Sequence, residues 1–381
     1  MYTLLAGAAK NAGDFLILER SKALLEKYAK PEGILQLNRL QPLDNKIREM
    51  NETKAVILCG GPGYARDFRK NILPQTRNIY DIKVPIIPLG LGWIGYPMWH
   101  PEKFSFDRSS KSLLNFIHQN CQASSCRDAA TKEILNRHGF KNVVMTGCPA
   151  WYDLESIGKK FERPDKIHRV AISMDAPLRP GIELLQEVNL FFKHLNPRVE
   201  FYIVFHRGIR QGEKEYSAEA KDIQTVADYA EELGYSVVDA SYGASQLDIY
   251  RQCDIHVGFR VHAHIFCLSI RKPSFLLQAD GRGRALSETL GLPDIPLTNK
   301  SNVSLATNLL NYMSPRAIRV LGKIKTARNI KRNATLNHSA IKAVMQDIEY
   351  ELTNGFPRFK KLDVSLDSHF KDMVRFLGTL P

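Results

Sequence analysis

Asp254-Ile255-His256-Val257-Gly258-Phe259-Arg260-Val261-His262-Ala263-His264 starts as an apolar, strand-like run, passes through a glycine and continues with a helical pattern. This order predicts a strand that turns at Gly258 into a helix, with Arg260, His262 and His264 at the helix start. Helix N-termini attract anions, because their first N–H groups lack partners and the macrodipole is positive there. An adjacent arginine adds a planar, bidentate clamp for phosphate or carboxylate. The plainer alternative is that Arg260 caps a loop and the histidines are satisfied helix residues.

Working outward, short apolar runs alternate with helical patterns on both sides of this stretch. Strands are expected at 2–7, 55–59, 84–89, 123–125 and 143–146, with helices at 14–28, 110–119 and 128–137. A second series follows, with strands at 169–173, 199–205, 236–239, 255–257 and 274–277 and helices at 181–195, 218–233, 244–252 and 261–270. Such alternation is that of parallel sheets covered on both faces. The fold class is therefore α/β, with two doubly wound Rossmann-like lobes and a cleft between them. The expected organisation is a first lobe at 1–153, a polar linker at 154–168, a second lobe at 169–313 and a basic helical tail at 314–381. A length of 381 residues suits two domains of roughly 150 residues each plus such a tail.

Composition narrows the function. With 44% hydrophobic and 24% charged residues the chain is that of a soluble globular protein, and the apolar stretch 84–99 is broken by Pro85, Pro88, Gly90, Gly92, Gly95 and Pro97, unlike a membrane span. The six cysteines lack CxxC spacing, so neither zinc nor a disulfide framework is expected. The opening residues carry no basic n-region and read as a first strand, so a cytoplasmic location is expected. A net charge of +13 implies an anionic partner. No nucleic-acid signature is present, which leaves small anions and acidic membrane surfaces. Within the tail, Arg316, Arg319, Lys323, Lys325, Arg328, Lys331 and Arg332 form either a solvated helix face or a patch for the inner leaflet of the cell membrane.

Open α/β sheets bind ligands outside the carboxyl ends of their strands. Asn11-Ala12-Gly13-Asp14, Cys59-Gly60-Gly61-Pro62-Gly63 and Leu89-Gly90-Leu91-Gly92 are expected as turns at such ends, and none is a Walker A or GxGxxG loop. Asp14 either caps its helix or accepts from a sugar hydroxyl. Ser125-Cys126-Arg127-Asp128, His206-Arg207-Gly208 and Asp280-Gly281-Arg282-Gly283-Arg284 add cations at further strand ends, although Arg127 could simply pair with Asp128.

From about Gly7 to Leu292 this order of motifs resembles the polysaccharide pyruvyl transferase family. The resemblance rests on Asn11-x-Gly13-Asp14, Gly60-Gly61-x-Gly63, Gly90-x-Gly92, Ser125-x-Arg127-Asp128 and Gly258-x-Arg260-Val261-His262-Ala263 followed by Lys272-Pro273. It implies an architecture like that of the B-type glycosyltransferases. It also implies transfer of pyruvate from phosphoenolpyruvate onto two hydroxyls of a saccharide, as a ketal, during cell-surface polysaccharide assembly. The donor site would comprise Arg127, Arg260, His262, Arg282, Arg284 and His206. The acceptor, a nucleotide- or lipid-linked saccharide, would meet Asn11, Gly13, Asp14, Gly61 and Gly63. His262 and Asp14 would handle protons, and no metal or cofactor is called for. Asp280-Gly281-Arg282 stands where the family often has Asp-Pro-Lys, so the lysine's role would pass to Arg282 or Arg284; Cys148 stands where an aspartate is common, and Val261 where leucine is usual. The alternatives are a nucleotide-sugar glycosyltransferase of the same architecture and a non-enzymatic scaffold. The scaffold is disfavoured by the joint presence of Arg127, Arg260 and His262.

Overall fold

The computed structural model describes residues 1–174, 178–209, 220–299, 337 and 339–381. The first lobe runs β1 (Tyr2–Ala6), α1 (Ala12–Leu24), β2 (Ile34–Asn38), α2 (Ile47–Asn51), β3 (Val56–Tyr64), α3 (Phe68–Ile72), β4 (Ile86–Trp93), α4 (Arg108–Asn120), β5 (Ser124–Cys126), α5 (Ala129–Arg137) and β6 (Val143–Met145). The second runs β7 (Arg169–Met174), α6 (Leu178–Leu195), β8 (Glu200–Phe205), α7 (Ala220–Glu232), β9 (Ser236–Asp239), α8 (Ile249–Gln252), β10 (Ile255–Gly258), α9 (Val261–Ser269), β11 (Ser274–Leu276) and α10 (Gly281–Leu290). Two further helices, α11 (Ala340–Asn354) and α12 (Pro357–Leu377), end the chain.

The two sheets are parallel, with strand orders β2-β1-β3-β4-β5-β6 and β11-β10-β7-β8-β9. Strands β1, β4 and β10 are buried along their whole length, as expected of parallel strands with helices on both faces. The strand order reverses between β1 and β3 in one lobe and between β10 and β7 in the other. Ligand crevices open at such switch points. The helices that leave them, α1 after β1 and α9 after β10, therefore start where the lobes face each other.

Two readings of the sequence need correction. The segments Gly60–Gly63 and Gly90–Gly92 are not turns: they continue β3 and β4, paired through Gly61 with Leu91 and Pro62 with Gly92. Gly63 is buried in this ladder, where a Cβ would come within 2.5 Å of the Leu91 side chain. The edge strand β2 was not expected, because its half-buried Ile34-Leu35-Gln36-Leu37-Asn38 lacks a clear apolar period.

The segment 154–168 is strapped down. Phe161 is buried, stacks on Phe359 and donates its amide to Asp363 of α12, while Arg271 reaches the Lys159 carbonyl at 3.1 Å. In α12 the buried residues Phe359, Leu362, Leu366, Phe370, Met373 and Phe376 recur at helical spacing. The helix crosses back to the first lobe, where Phe370 meets the Tyr28 and Tyr152 rings, and Tyr2 donates to the Pro381 carbonyl at 2.5 Å. The basic run from Arg316 to Arg332 lies outside the described residues. Among the described residues no helix is long and apolar enough to cross a membrane.

Candidate active site

The sequence around Gly258 folds as it does because β10 ends directly against β7. A Cβ on Gly258 would overlap the Ser173 carbonyl oxygen, so only glycine allows the approach. Phe259 then donates to that carbonyl at 3.0 Å and the Arg260 amide to Ser173 Oγ at 3.2 Å. Arg260 becomes the N-cap residue of α9, and its side chain makes no capping hydrogen bond.

Among the described residues, the starts of α1, α5 and α10 also lie at the lobe contact, and each is closed. Asn11 Oδ1 accepts from the Gly13 amide in α1 at 3.2 Å, while the Ala12 amide reaches across to the His206 carbonyl at 3.1 Å. Asp128 caps α5 through Thr131 at 2.8 Å. Asp280 caps α10 through the Arg282 amide at 2.8 Å, and the Gly281 amide donates to Gly95 across the lobes at 3.2 Å. The start of α9 thus has the positive end of a helix, an arginine in place of a carboxylate cap, and no acidic residue in its first turn.

The arginines converge on His262. Burial, and then Arg260, Arg282, Arg127 and Arg207, push its imidazole well below the usual pKa, so it is neutral near pH 7. The ring packs over Gly13 of the opposite lobe, where a Cβ would overlap it. Gly13 therefore makes room for His262. Arg260, 5% exposed, donates to Asn11 Oδ1 at 2.9 Å, and Asn11 Nδ2 donates to Asp14 Oδ2 at 3.3 Å. Burial raises the Asp14 carboxyl above the ordinary range, opposed by Arg207, Arg260 and Arg39. Asn11 is consequently the bridge between a lobe-two arginine and a lobe-one carboxylate.

Arg127 lies flat against Gly92, pairs with Asp128 at 2.9 Å and donates to the Trp93 carbonyl at 2.8 Å. Asp280 holds the Arg282 guanidinium by two nitrogens, at 2.9 and 2.5 Å. Both arginines are held beside His262 in fixed positions. Arg284 pairs with Asp294 at 3.3 Å and lies over the Trp99 ring at 4.8 Å. His206 is buried beside the cluster, but its Nε2 is bonded to the Tyr250 hydroxyl at 2.8 Å, and its backbone carbonyl makes the contact with α1. Gly61 and Gly63 stay within β3 and are not turn residues.

Arg39 was missed. It follows the unread strand β2, lies against Gly7, and is held by the Asn71 and Ile72 carbonyls at 2.6 and 3.3 Å. Its charge reaches Asp14. No periodic signal could have found it. Among the described residues no group of three or more His, Cys, Asp and Glu side chains is placed to hold a metal ion.

The family model Polysaccharide pyruvyl transferase matches residues 11–280. No curated protein matches the chain in sequence. Among solved structures, a Listeria monocytogenes protein assigned as a UDP-N-acetylglucosamine 2-epimerase is similar with a TM-score of 0.51 and 10% identity, over 95% of this chain and 90% of that one. S. aureus MnaA, solved with UDP, gives 0.49 and 12% over 93% and 97%, and the wall teichoic acid polymerase TagF gives 0.43 and 10% over 98% and 88%. The Listeria likeness is one of fold: two parallel-sheet α/β lobes, the architecture of the B-type glycosyltransferases.

Proposed function

Because the chain belongs to the polysaccharide pyruvyl transferase family, we propose that it moves pyruvate from phosphoenolpyruvate onto two hydroxyls of a nucleotide- or lipid-linked saccharide, forming a ketal. The observation that carries this reading is the uncapped, arginine-flanked start of α9, set opposite a half-buried carboxylate of the other lobe. A donor with a phosphate and a carboxylate matches a fixed set of guanidinium groups better than a neutral sugar does.

Proton handling divides between the lobes. Burial, and then the arginines, hold His262 neutral; the donor's phosphate and carboxylate charges favour the imidazolium, so His262 gains a proton when the donor binds. It delivers that proton to the methylene carbon, which becomes the methyl group, and leaves a cationic carbon stabilised by its ester oxygen. One saccharide hydroxyl adds to this carbon and gives up its proton to Asp14. Phosphate then leaves with the ester oxygen and the electrons of its C–O bond, and the second hydroxyl adds to the cationic carbon so formed and closes the ketal, its proton passing to the departing phosphate. Asn11 keeps Asp14 and Arg260 in register throughout. In the same reading a lipid-linked acceptor sets the enzyme at the inner face of the membrane, with the basic run 316–332 as its electrostatic contact. Binding to acidic vesicles that weakens with salt checks this.

The test is phosphate release from phosphoenolpyruvate in the presence and absence of saccharide acceptor. Acceptor-dependent release that is lost in Arg260→Ala supports the reading. A protein that releases no phosphate, yet binds a nucleotide sugar through Arg260, is a glycosyltransferase instead.

A further inference from the structure

Behind the start of α9 lies a chain of polar side chains that the transfer steps leave unused. Ser173, His256, Ser274 and His264 are each at most 2% exposed. Ser173 Oγ lies 2.8 Å from His256 Nε2, His256 Nδ1 lies 2.6 Å from Ser274 Oγ, and Ser274 Oγ lies 2.7 Å from His264 Nδ1. At its near end Ser173 Oγ accepts from the Arg260 amide at 3.2 Å.

Burial holds both histidines neutral, His264 at a pKa of about 3. A neutral imidazole carries one N–H, and a hydroxyl has one proton and two acceptor positions, so every link of the chain pairs one donor with one acceptor in either of two orders. In one order the last proton sits on His264 Nε2, which has no partner among the described residues; in the other His256 Nε2 donates to Ser173 Oγ. In both orders Ser173 Oγ accepts from the Arg260 amide. His264 lines a small cavity together with Asp347 of α11 and Arg358 of α12, so the chain runs from the C-terminal helices to the N-cap of α9.

We propose that Ser173 and His256 are positioning residues for the donor site, with Ser274 and His264 as their support. By holding the Arg260 amide they fix the direction in which the first turn of α9 and the Arg260 side chain meet the donor anion. This rests on the function proposed above, and Gly258 is its steric counterpart, since any side chain there would displace Ser173. Preorganised donors act through placement, so small shifts in α9 weaken anion binding without removing any contact residue.

The experiment uses the full chain, Ser173→Ala and the milder Ser274→Ala, with steady-state kinetics and selectively 15N-labelled histidine and arginine. The expected result is a KM for phosphoenolpyruvate raised about ten-fold in Ser173→Ala and about three-fold in Ser274→Ala, with the KM for the acceptor unchanged. A merely structural role lowers kcat in proportion to the folded fraction and leaves both KM values alone, and that result overturns the proposal. The spectra decide independently of substrate. Ser173→Ala moves the Arg260 amide resonance and the His256 ring nitrogens. An unmoved Arg260 amide overturns the proposal. Wild-type protein inert towards phosphoenolpyruvate would defeat the transferase reading alone and leave the spectra to judge the relay.

Discussion

The helix starts of α1 and α9 occupy the same place in their lobes, each after the strand at the switch point, and they touch through Gly13 and His262. Their chemistry is opposite. The start of α1 is closed by an asparagine cap and a carbonyl from the other lobe, and carries Asp14 in its first turn. The start of α9 has an arginine where the cap would be, a histidine two residues on and no acid. The difference teaches that equivalent positions in two similar lobes can be specialised by their caps. A helix start capped by a side chain can carry a carboxylate as base, whereas one without a side-chain cap and without an acid keeps its field for a ligand.

The largest effect should come from removing the base of the closed start. Asp14→Asn keeps the hydrogen bond to Asn11 and is expected to lower kcat by about 100-fold or more, with little change in donor affinity. In the wild type, activity should rise with pH through the elevated pKa of Asp14, and this limb should vanish in the variant. A pH–rate profile measures both.

The next test makes the open start resemble the closed one. Arg260→Asn supplies a cap, expected to stabilise α9 by about 1 kcal/mol, while donor binding weakens by roughly 2 to 4 kcal/mol through loss of the guanidinium. Thermal unfolding and titration with phosphoenolpyruvate, run together, should move in opposite directions. Arg260→Lys should restore little, because a point charge cannot reproduce the planar fork.

Gly13→Ala probes the contact between the two starts. The added methyl overlaps the His262 ring, so the lobes must separate or the ring must turn, destabilising the protein by about 1 to 3 kcal/mol. If the melting temperature and the KM for the donor are both unchanged, His262 does not pack as described.

Acid should loosen the second lobe more gradually. Burial holds His206, His256, His262 and His264 below their ordinary pKa. The unfolded chain therefore binds protons below about pH 6.5 that the folded chain refuses, and stability falls as pH falls. Each such histidine contributes a slope approaching about 1.4 kcal/mol per pH unit. Denaturant unfolding between pH 7 and 5 measures the sum, and His264→Gln should flatten it.

How much of this was legible differs between the two starts. The α9 start could be read directly, because the glycine, the arginine and the two histidines are contiguous and follow an apolar run. Asn11 and Asp14 were also visible, but their bridging role was not, since it depends on Arg260, 249 residues away along the chain. Gly60–Gly63 and Gly90–Gly92 misled because glycine and proline normally mark turns. In these central strands the same residues let neighbouring strands and side chains approach, as Gly63 does for Leu91 and Gly92 for Arg127. Arg282 looked like a ligand group, yet Asp280, two residues before it, holds it in place. Arg39 depended on an edge strand whose half-buried pattern hides its period.

The central claim is that a donor anion sits at the open start of α9 and recharges His262. Calorimetric titration of phosphoenolpyruvate near pH 7.5, in buffers of different ionisation enthalpy, tests it most directly. Wild-type protein should bind with net proton uptake, His262→Gln should bind without uptake, and Arg260→Asn should bind at least 30-fold more weakly. Equal affinity in wild type and Arg260→Asn, or binding by the wild type with no proton uptake, would contradict the account.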